Sequence, residues 1–406
     1  MPPTERLYYH DSFRYSFDAQ VLECAERGGR TAVLLDRTAF YPTSGGQVHD
    51  TGTLVLEDET EIPVAEVAEE DDGRIWHFAS AAVATGRKVR GRVDRTRRLD
   101  HVQQHSGQHV LSAAFIHLFD FPTTSFHMGA ESCTIDLSAK AITPKQVAEA
   151  ERLANEIITE DRGVKINFVS LDEAQRLGVR KLPPKQTGEL RLIDIADFDL
   201  TACGGTHVRS TGQIGVILLR KVENVKQGVR VEFVCGMRAV VTAREDYATL
   251  TETAGLLSTH IRELPQQVSK AIQEAKSAGK VQQKLLDEIA ELCAGKMLAQ
   301  AEGSPKKIVS VFPERDAVFI KLLAQKLTAA APDAIALLAS GAGQAALVFA
   351  QSPGMKHNMG QILKDAMTKL NGRGGGTADM AQGGLPAGTS NLAQIDRLLH
   401  EMAANL

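Results

Sequence analysis

Short runs in which apolar and polar residues alternate fill the chain from residue 5 to about 90: TAVLLD at 31–36, GTLVLED at 52–58, EIPVAEVA at 61–68 and RIWHF at 74–78. Alternation with a period of two, broken by Gly and Asp, predicts a small antiparallel β domain that closes as a barrel. From about 99 to 118 the period changes. Leu99, Val102, Val110, Ala113, Ala114 and Leu118 fall at helical spacing, and a second helix begins at Pro144 with Val147, Ala150, Leu153, Ala154 and Ile157. The pieces VKINFVS, ELRLIDIAD, IGVILLRKVEN and RVEFVCG then read as strands, giving an α+β unit that ends near Gly236. Residues 240–302 form a helical arm, a hairpin on one reading, with Val268, Ile272, Ala275, Leu285, Ile289 and Leu292 at helical spacing; Gly279 and many alanines weaken any heptad, so a packed helix pair and a coiled-coil seam stand level. After Ser304-Pro305, strands (KIVSVF, AIALLAS, AALVFAQ) alternate with helices (VFIKLLAQKL, QILKDAMTKL, LAQIDRLLHEMA), the pattern of a small α/β domain. The fold class is therefore α+β multidomain, divided at 1–90, 91–239, 240–302 and 303–406.

Composition changes this picture little. With 24% charged residues, 43% hydrophobic residues and a formal net charge of −4, the 406-residue chain reads as soluble and globular, and any nucleic-acid contact has to come from local patches. The start, MPPTERLYYHDSFRYSFD, lacks the apolar run of a signal peptide, and no segment reaches the roughly 18 apolar residues of a membrane span. Five scattered cysteines are read as reduced thiols, so the expected location is the cytoplasm, away from membranes.

The chemistry is concentrated in two places. His101, His105 and His109 recur every four residues on a predicted helix, so their imidazoles share one stripe. Cys203-Gly204-Gly205-Thr206-His207 places a thiolate and an imidazole on either side of residues with unusual backbone freedom, a turn that can fold both side chains to one point. Two histidines from a helix plus Cys and His from a turn make an N/S donor set of the kind tetrahedral zinc prefers. The expected ligands are His105, His109, Cys203 and His207 around one Zn²⁺ per chain. The strand IDIADFDLTACGG is expected to carry the second pair, and His101, one turn earlier, faces the substrate, supports a ligand or is exposed, exposure being the default reading.

HSGQH at 105–109 followed by CGGTH at 203–207 resembles the editing domain of alanyl-tRNA synthetases and the free-standing alanyl-tRNA editing proteins. TAFYPTSGGQVHDTG at 38–52 looks like that family's glycine-rich motif, GQIGVILLRKVENVKQGVRVEFV like the segment after the ligands, and GRGGGTADMAQGG at 372–384 like the C-terminal tRNA-binding domain shared with some phosphoesterases. No aminoacylation core precedes the barrel in this sequence, so the resemblance is to the long form of the editing factor. It departs from the synthetases in having Ser106 and Gln108 where they carry threonines.

The resemblance implies a zinc-binding editing domain at 91–239 that hydrolyses wrongly acylated tRNA(Ala), chiefly the seryl and also the glycyl ester. Four ligands fill a tetrahedron, so zinc either loses a ligand, expands to five-coordinate or positions the substrate amine. Discriminating serine from alanine calls for a group that bonds the extra hydroxyl; Ser106, Gln108 and Thr38 are the candidates, with Gln47 as a pocket contact, against capping or surface roles. For tRNA, RKVRGRVDRTRR at 87–98 carries seven cations and one acid, so Arg92, Arg95, Arg97 and Arg98 are expected to meet phosphates, against the alternative of a solvated charged edge. Arg180-Lys181 with Lys185 is a weaker cluster. The loop 372–376, with Gly374, Gly375 and Gly376, is expected to approach tRNA through its backbone. A homodimer through the C-terminal half is a further expectation, and the rival reading is a non-catalytic tRNA-binding protein with a structural zinc.

Overall fold

The computed structural model describes residues 3–180, 189–386 and 391–406. They fall into two compact units, Met1–Glu252 and Thr253–Leu406.

The first unit opens with a closed, fully antiparallel six-stranded barrel formed by Ser16–Arg27, Arg30–Leu35, Ile75–Ala79, Glu61–Glu69, Gly52–Val55 and Lys88–Val93 in that order around the wall. Its core holds Phe17, Val21, Val33, Leu35, Phe40, Leu54, Val64, Val67 and Val89. The strand Lys88–Val93 explains half of the basic run: Val89, Gly91 and Val93 point inward while Lys88, Arg90 and Arg92 point outward, the alternation any two-faced strand requires.

Beyond the barrel, the helix Arg95–Phe119 begins at an Asp94 cap that accepts from the N–H groups of Thr96 and Arg97. It starts a turn earlier than the hydrophobic period indicates, because its first turn is cationic. Nearly every residue from Val102 to Phe115 is buried, polar ones included, so it is enclosed on all sides. A four-stranded antiparallel sheet (Ile217–Val225, Gly228–Cys235, Cys133–Leu137, Thr123–Met128) and the helix Pro144–Thr159, started by a Thr143/Gln146 capping box, share a core with it. The two strands Thr123–Met128 and Cys133–Leu137 were not apparent from the hydrophobic pattern, TTSFHM being too polar. The stretch IDIADFDLTACGG is two strands rather than one. Asp197, at φ 55°, reverses the chain between Leu190–Ile195 and Asp199–Ala202, and Leu190–Ile195 is the middle strand of a three-stranded sheet completed by Val164–Val169.

In the helical region, Gly236–Leu256 is one helix and Leu264–Gln300 another, the second running through Gly279 unbroken. The second unit has a five-stranded sheet ordered Lys306–Phe312, Ala334–Ser340, Ala346–Gln351, Met380–Gly384, Arg373–Gly376, with the first pair parallel and the others antiparallel. Ala334–Ser340 is buried on both faces: Ala336 and Leu338 meet the helix Ala317–Ala330 with Ala290 and Ala294, while Ile335 and Leu337 meet Met359–Lys369 and Leu392–Ala404. The glycine loop expected at 372–376 is instead an edge strand from Arg373. A Cβ at Gly374 would lie 2.5 Å from Gly383 Cα and one at Gly376 2.3 Å from Met380 O, so the run permits a close hairpin.

Candidate metal centre

His105 and His109, one turn apart on the enclosed helix, meet Cys203 and His207 from the turn that follows Asp199–Ala202. Their ligand atoms all lie within 4.8 Å of one another, and the three histidines are 2–3% exposed. Cys203 Sγ is 3.4 Å from His105 Nε2 and 3.3 Å from His207 Nε2. Two donors at about 2.05 and 2.3 Å from one zinc, at tetrahedral angles, would be roughly 3.5 Å apart, so the spacing fits that ion.

Two of the three outer ring nitrogens are hydrogen-bonded as a metal site needs them, and the third faces a carboxylate. Gln47 Oε1 accepts from His105 Nδ1 at 2.7 Å and from Thr206 N at 3.2 Å, while its amide donates to Thr206 Oγ1 at 2.9 Å. Ser106 Oγ lies 3.2 Å from His207 Nδ1 and accepts from Val208 N at 3.0 Å. His109 Nδ1 is buried without a hydrogen bond, with Asp199 Oδ2 at 3.6 Å. Asp199 is in turn held by Arg180 and Thr201 Oγ1, at 3.0 and 2.9 Å. With each Nδ1 facing outward, each Nε2 is free to face the sulfur.

The electrostatics favour the ligand forms of Cys203 and His207, whereas His109 has a proton to give up when a metal binds. Burial works to raise the Cys203 thiol, but the imidazoles of His105 and His207 outweigh it and hold it well below the usual thiol range. Burial pushes His207 well below its ordinary value. At His109 burial also works downward, but Asp199 and the Cys203 sulfur outweigh it and leave that pKa raised.

A cleft of about 570 Å³ opens onto His105, His109 and Cys203 and is walled by Gln108, Thr123, Thr124, Ser125, Phe126 and Arg180. Gln108 Nε2 and Thr123 Oγ1 both donate to Ser112 Oγ, at 2.8 and 2.7 Å. A slightly larger cleft, about 620 Å³, lies on the barrel around Asp18, Asp36 and Lys88, away from any buried cluster of ligand-type side chains.

Several expected site residues lie elsewhere. Thr38 is wholly buried, its hydroxyl taken by His77 Nε2 at 2.8 Å and Phe40 N at 3.1 Å, and it does not line the cleft. His101 is 3% exposed rather than free, with Nδ1 3.9 Å from Asp50 Oδ1, and burial pushes its pKa down to about 4. Arg98 cannot meet phosphate: it is 0% exposed, paired with Asp50 and donating to Ser12 O and Ala39 O at 2.8 and 2.5 Å. Arg97 Nε donates to His49 O at 2.9 Å, so both arginines tie the helix's first turn to the glycine-rich segment that delivers Gln47. Arg90 and Arg92 pair with Asp18 and Glu61, which tempers the basic run. Arg92 and Arg95 are exposed. Lys181 and Lys185 lie outside the described residues. Asp199 was missed, although strand alternation back from Cys203 through Thr201 places it on the ligand face. Arg191 was missed too, although a cation within ELRLIDI is itself a signal.

Family models match in three stretches: tRNA synthetases class II (A) over 6–97, the threonyl and alanyl tRNA synthetase second additional domain over 190–231, and the DHHA1 domain over 304–406. An alanine–tRNA ligase from Pyrococcus abyssi is 31% identical over 94% of this chain, which spans only 42% of that ligase's length. The alanyl-tRNA editing protein AlaX-L from Pyrococcus horikoshii is 30% identical over 94% of this chain and 95% of its own. Because that likeness runs through both proteins almost from end to end, this chain belongs to the alanyl-tRNA editing protein family.

Proposed function

We propose that this protein is a zinc-dependent hydrolase that removes serine, and also glycine, from mischarged tRNA(Ala) in trans. The observation that carries the reading is the Cys203–His105–His109–His207 cluster, three of whose members line a cleft. Zinc bound there would supply a Lewis acid for the ester carbonyl. Gln47, Ser106 and Asp199 keep the imidazoles in place, and the cleft wall does the reading. Gln108 and Thr123, both spending a donor on Ser112 Oγ, offer the Gln108 carbonyl and the Thr123 lone pairs to a substrate hydroxyl. Alanine would leave them unpaired, a difference worth up to ~10⁴-fold in such sites. Ser106, engaged at His207, holds a ligand instead.

Four parts divide the work: the barrel at 1–90 brings the glycine-rich turn, 91–239 performs deacylation, 240–302 is a helical arm, and 303–406 binds tRNA with its edge strand at Gly374, Gly375 and Gly376. Arg92 and Arg95 are the cations of the basic run assigned to acceptor-stem phosphates, Arg97 being engaged at His49, with the cytoplasm as the site of action.

Hydrolysis of seryl-, glycyl- and alanyl-tRNA(Ala) by the parent and by Cys203→Ala tests this. The expected result is rapid release of serine, release of glycine far slower because it too lacks the hydroxyl but meets no steric penalty, sparing of alanine, and loss of at least about 100-fold in the variant. If the variant stays folded and binds tRNA while the parent hydrolyses none of the three esters, the chain is a tRNA-binding protein with a structural metal.

A further inference from the structure

Arg191 is 6% exposed, yet among the described residues none of its hydrogen bonds goes to a carboxylate. Its Nη1 donates to Cys203 O at 2.6 Å and Gly205 O at 3.0 Å, and its Nε to Tyr9 O at 2.9 Å; among the described residues Nη2 is buried without a partner. Its guanidinium lies 5.2 Å from the centre of the Tyr9 ring. Burying a guanidinium costs several kcal/mol, so its position calls for a compensating role.

The two carbonyls it binds bracket Gly204. The Cys-Gly-Gly turn has little intrinsic conformational preference, because neither glycine restricts the backbone. One nitrogen, Nη1, held in a rigid planar group and shared by both carbonyls, selects the conformation in which Cys203 Sγ accepts from Gly205 N at 3.3 Å and stands 3.3 Å from His207 Nε2. Gly205 is pressed so closely on His105 that a Cβ there would sit 2.1 Å from His105 Cε1. Across Gly204, the Tyr9 hydroxyl would stand 3.2 Å from an added Cβ. The turn is therefore clamped between the N-terminal segment and the strand Leu190–Ile195, with Arg191 as the clamp.

We propose that Arg191 is the positioning residue that pre-forms the thiolate half of the metal centre and ties it to the N-terminal segment through the Tyr9 carbonyl. This rests on the metal-centre reading above. Lysine at 191 keeps the cation but cannot meet three carbonyls in the fixed fork of a guanidinium.

Zinc affinity, measured by competition with a chromophoric chelator, and the thiolate-to-cobalt charge-transfer band of the Co²⁺ form are compared for the parent, Arg191→Lys and Arg191→Met, alongside thermal unfolding of the metal-free proteins. The expected result is zinc binding weakened by about 10- to 100-fold in both variants, with an altered cobalt band and metal-free unfolding close to the parent's. Should Arg191→Met fail to fold, Arg191→Lys decides alone: parental zinc affinity and an unchanged cobalt band in it overturn the proposal. A parent that binds no zinc overturns the metal-centre reading itself, and the clamp with it.

Discussion

At the scale of single residues, close contact decides more than residue type. Gly205 has no room for a side chain: a Cβ would lie 2.1 Å from His105 Cε1 and 3.1 Å from Gln47 Oε1. Gly205→Ala is expected to displace His105 and reduce seryl-tRNA(Ala) hydrolysis at least 10-fold, while the urea midpoint changes little; undiminished hydrolysis would contradict the close approach. His77 makes a different point. It is enclosed in the barrel between Thr38 Oγ1 and Val33 O, and burial, opposed only by the Val33 carbonyl, pushes its pKa down to about 4. The unfolded chain takes up this proton near pH 6.5 and the folded one only near 4. The unfolded state therefore holds more protons between these values. Stability present above pH 6.5 drains away on acidification toward pH 4, by up to about 3 kcal/mol. Urea titrations at pH 7.5 and 5 should show this, and His77→Gln should reduce the difference, His101 retaining its own share; an identical pH profile in the variant would rule the assignment out.

At the scale of elements, the histidine helix is unusual in burying polar side chains around its whole circumference, because each side meets a different partner: the glycine-rich segment, the metal turn, and the sheet that includes Gly228–Cys235. Its closest approach is at Gly107, where a Cβ would fall 2.2 Å from Cys235 Sγ. Helix propensity alone favours alanine over glycine there by about 1 kcal/mol. Packing opposes it, since overfilling a tight core costs about 1–3 kcal/mol. Gly107→Ala should therefore lower stability in urea unfolding despite its better propensity. A stabilised variant would mean that the helix and sheet can move apart freely.

At the scale of the whole molecule, each of the two units has cores of its own. A chain ending at Glu252 should keep the metal centre and bind zinc as the full protein does. It should bind tRNA more weakly, because the contacts assigned to the edge strand at Gly374, Gly375 and Gly376 are gone, with any change in salt dependence reporting the phosphates among them. Equal affinity and an equal salt slope for both lengths would remove the tRNA-binding role from the second unit.

What the residues determined by themselves were the element types and the chemistry of the donor set. Periods of two and of 3.6 are local consequences of burying one face, which is why the barrel strands, the helices and the strands after Ser304-Pro305 could be read directly. Spacing likewise put His105 and His109 on one stripe, and the Gly-Gly pair showed a turn between Cys203 and His207. Tertiary structure alone decided which charges meet solvent. Arg98 and Arg92 are six residues apart in one basic run, yet the first is sealed against Asp50 and the second lies on the outer face of a barrel strand. It also turned Thr38 into the barrel, placed Thr123 in the cleft wall and set Arg191 under the metal turn. These outcomes depend on which segments pack together across long stretches of chain, 182 residues in the case of Tyr9 and Arg191, and no local period records such a contact.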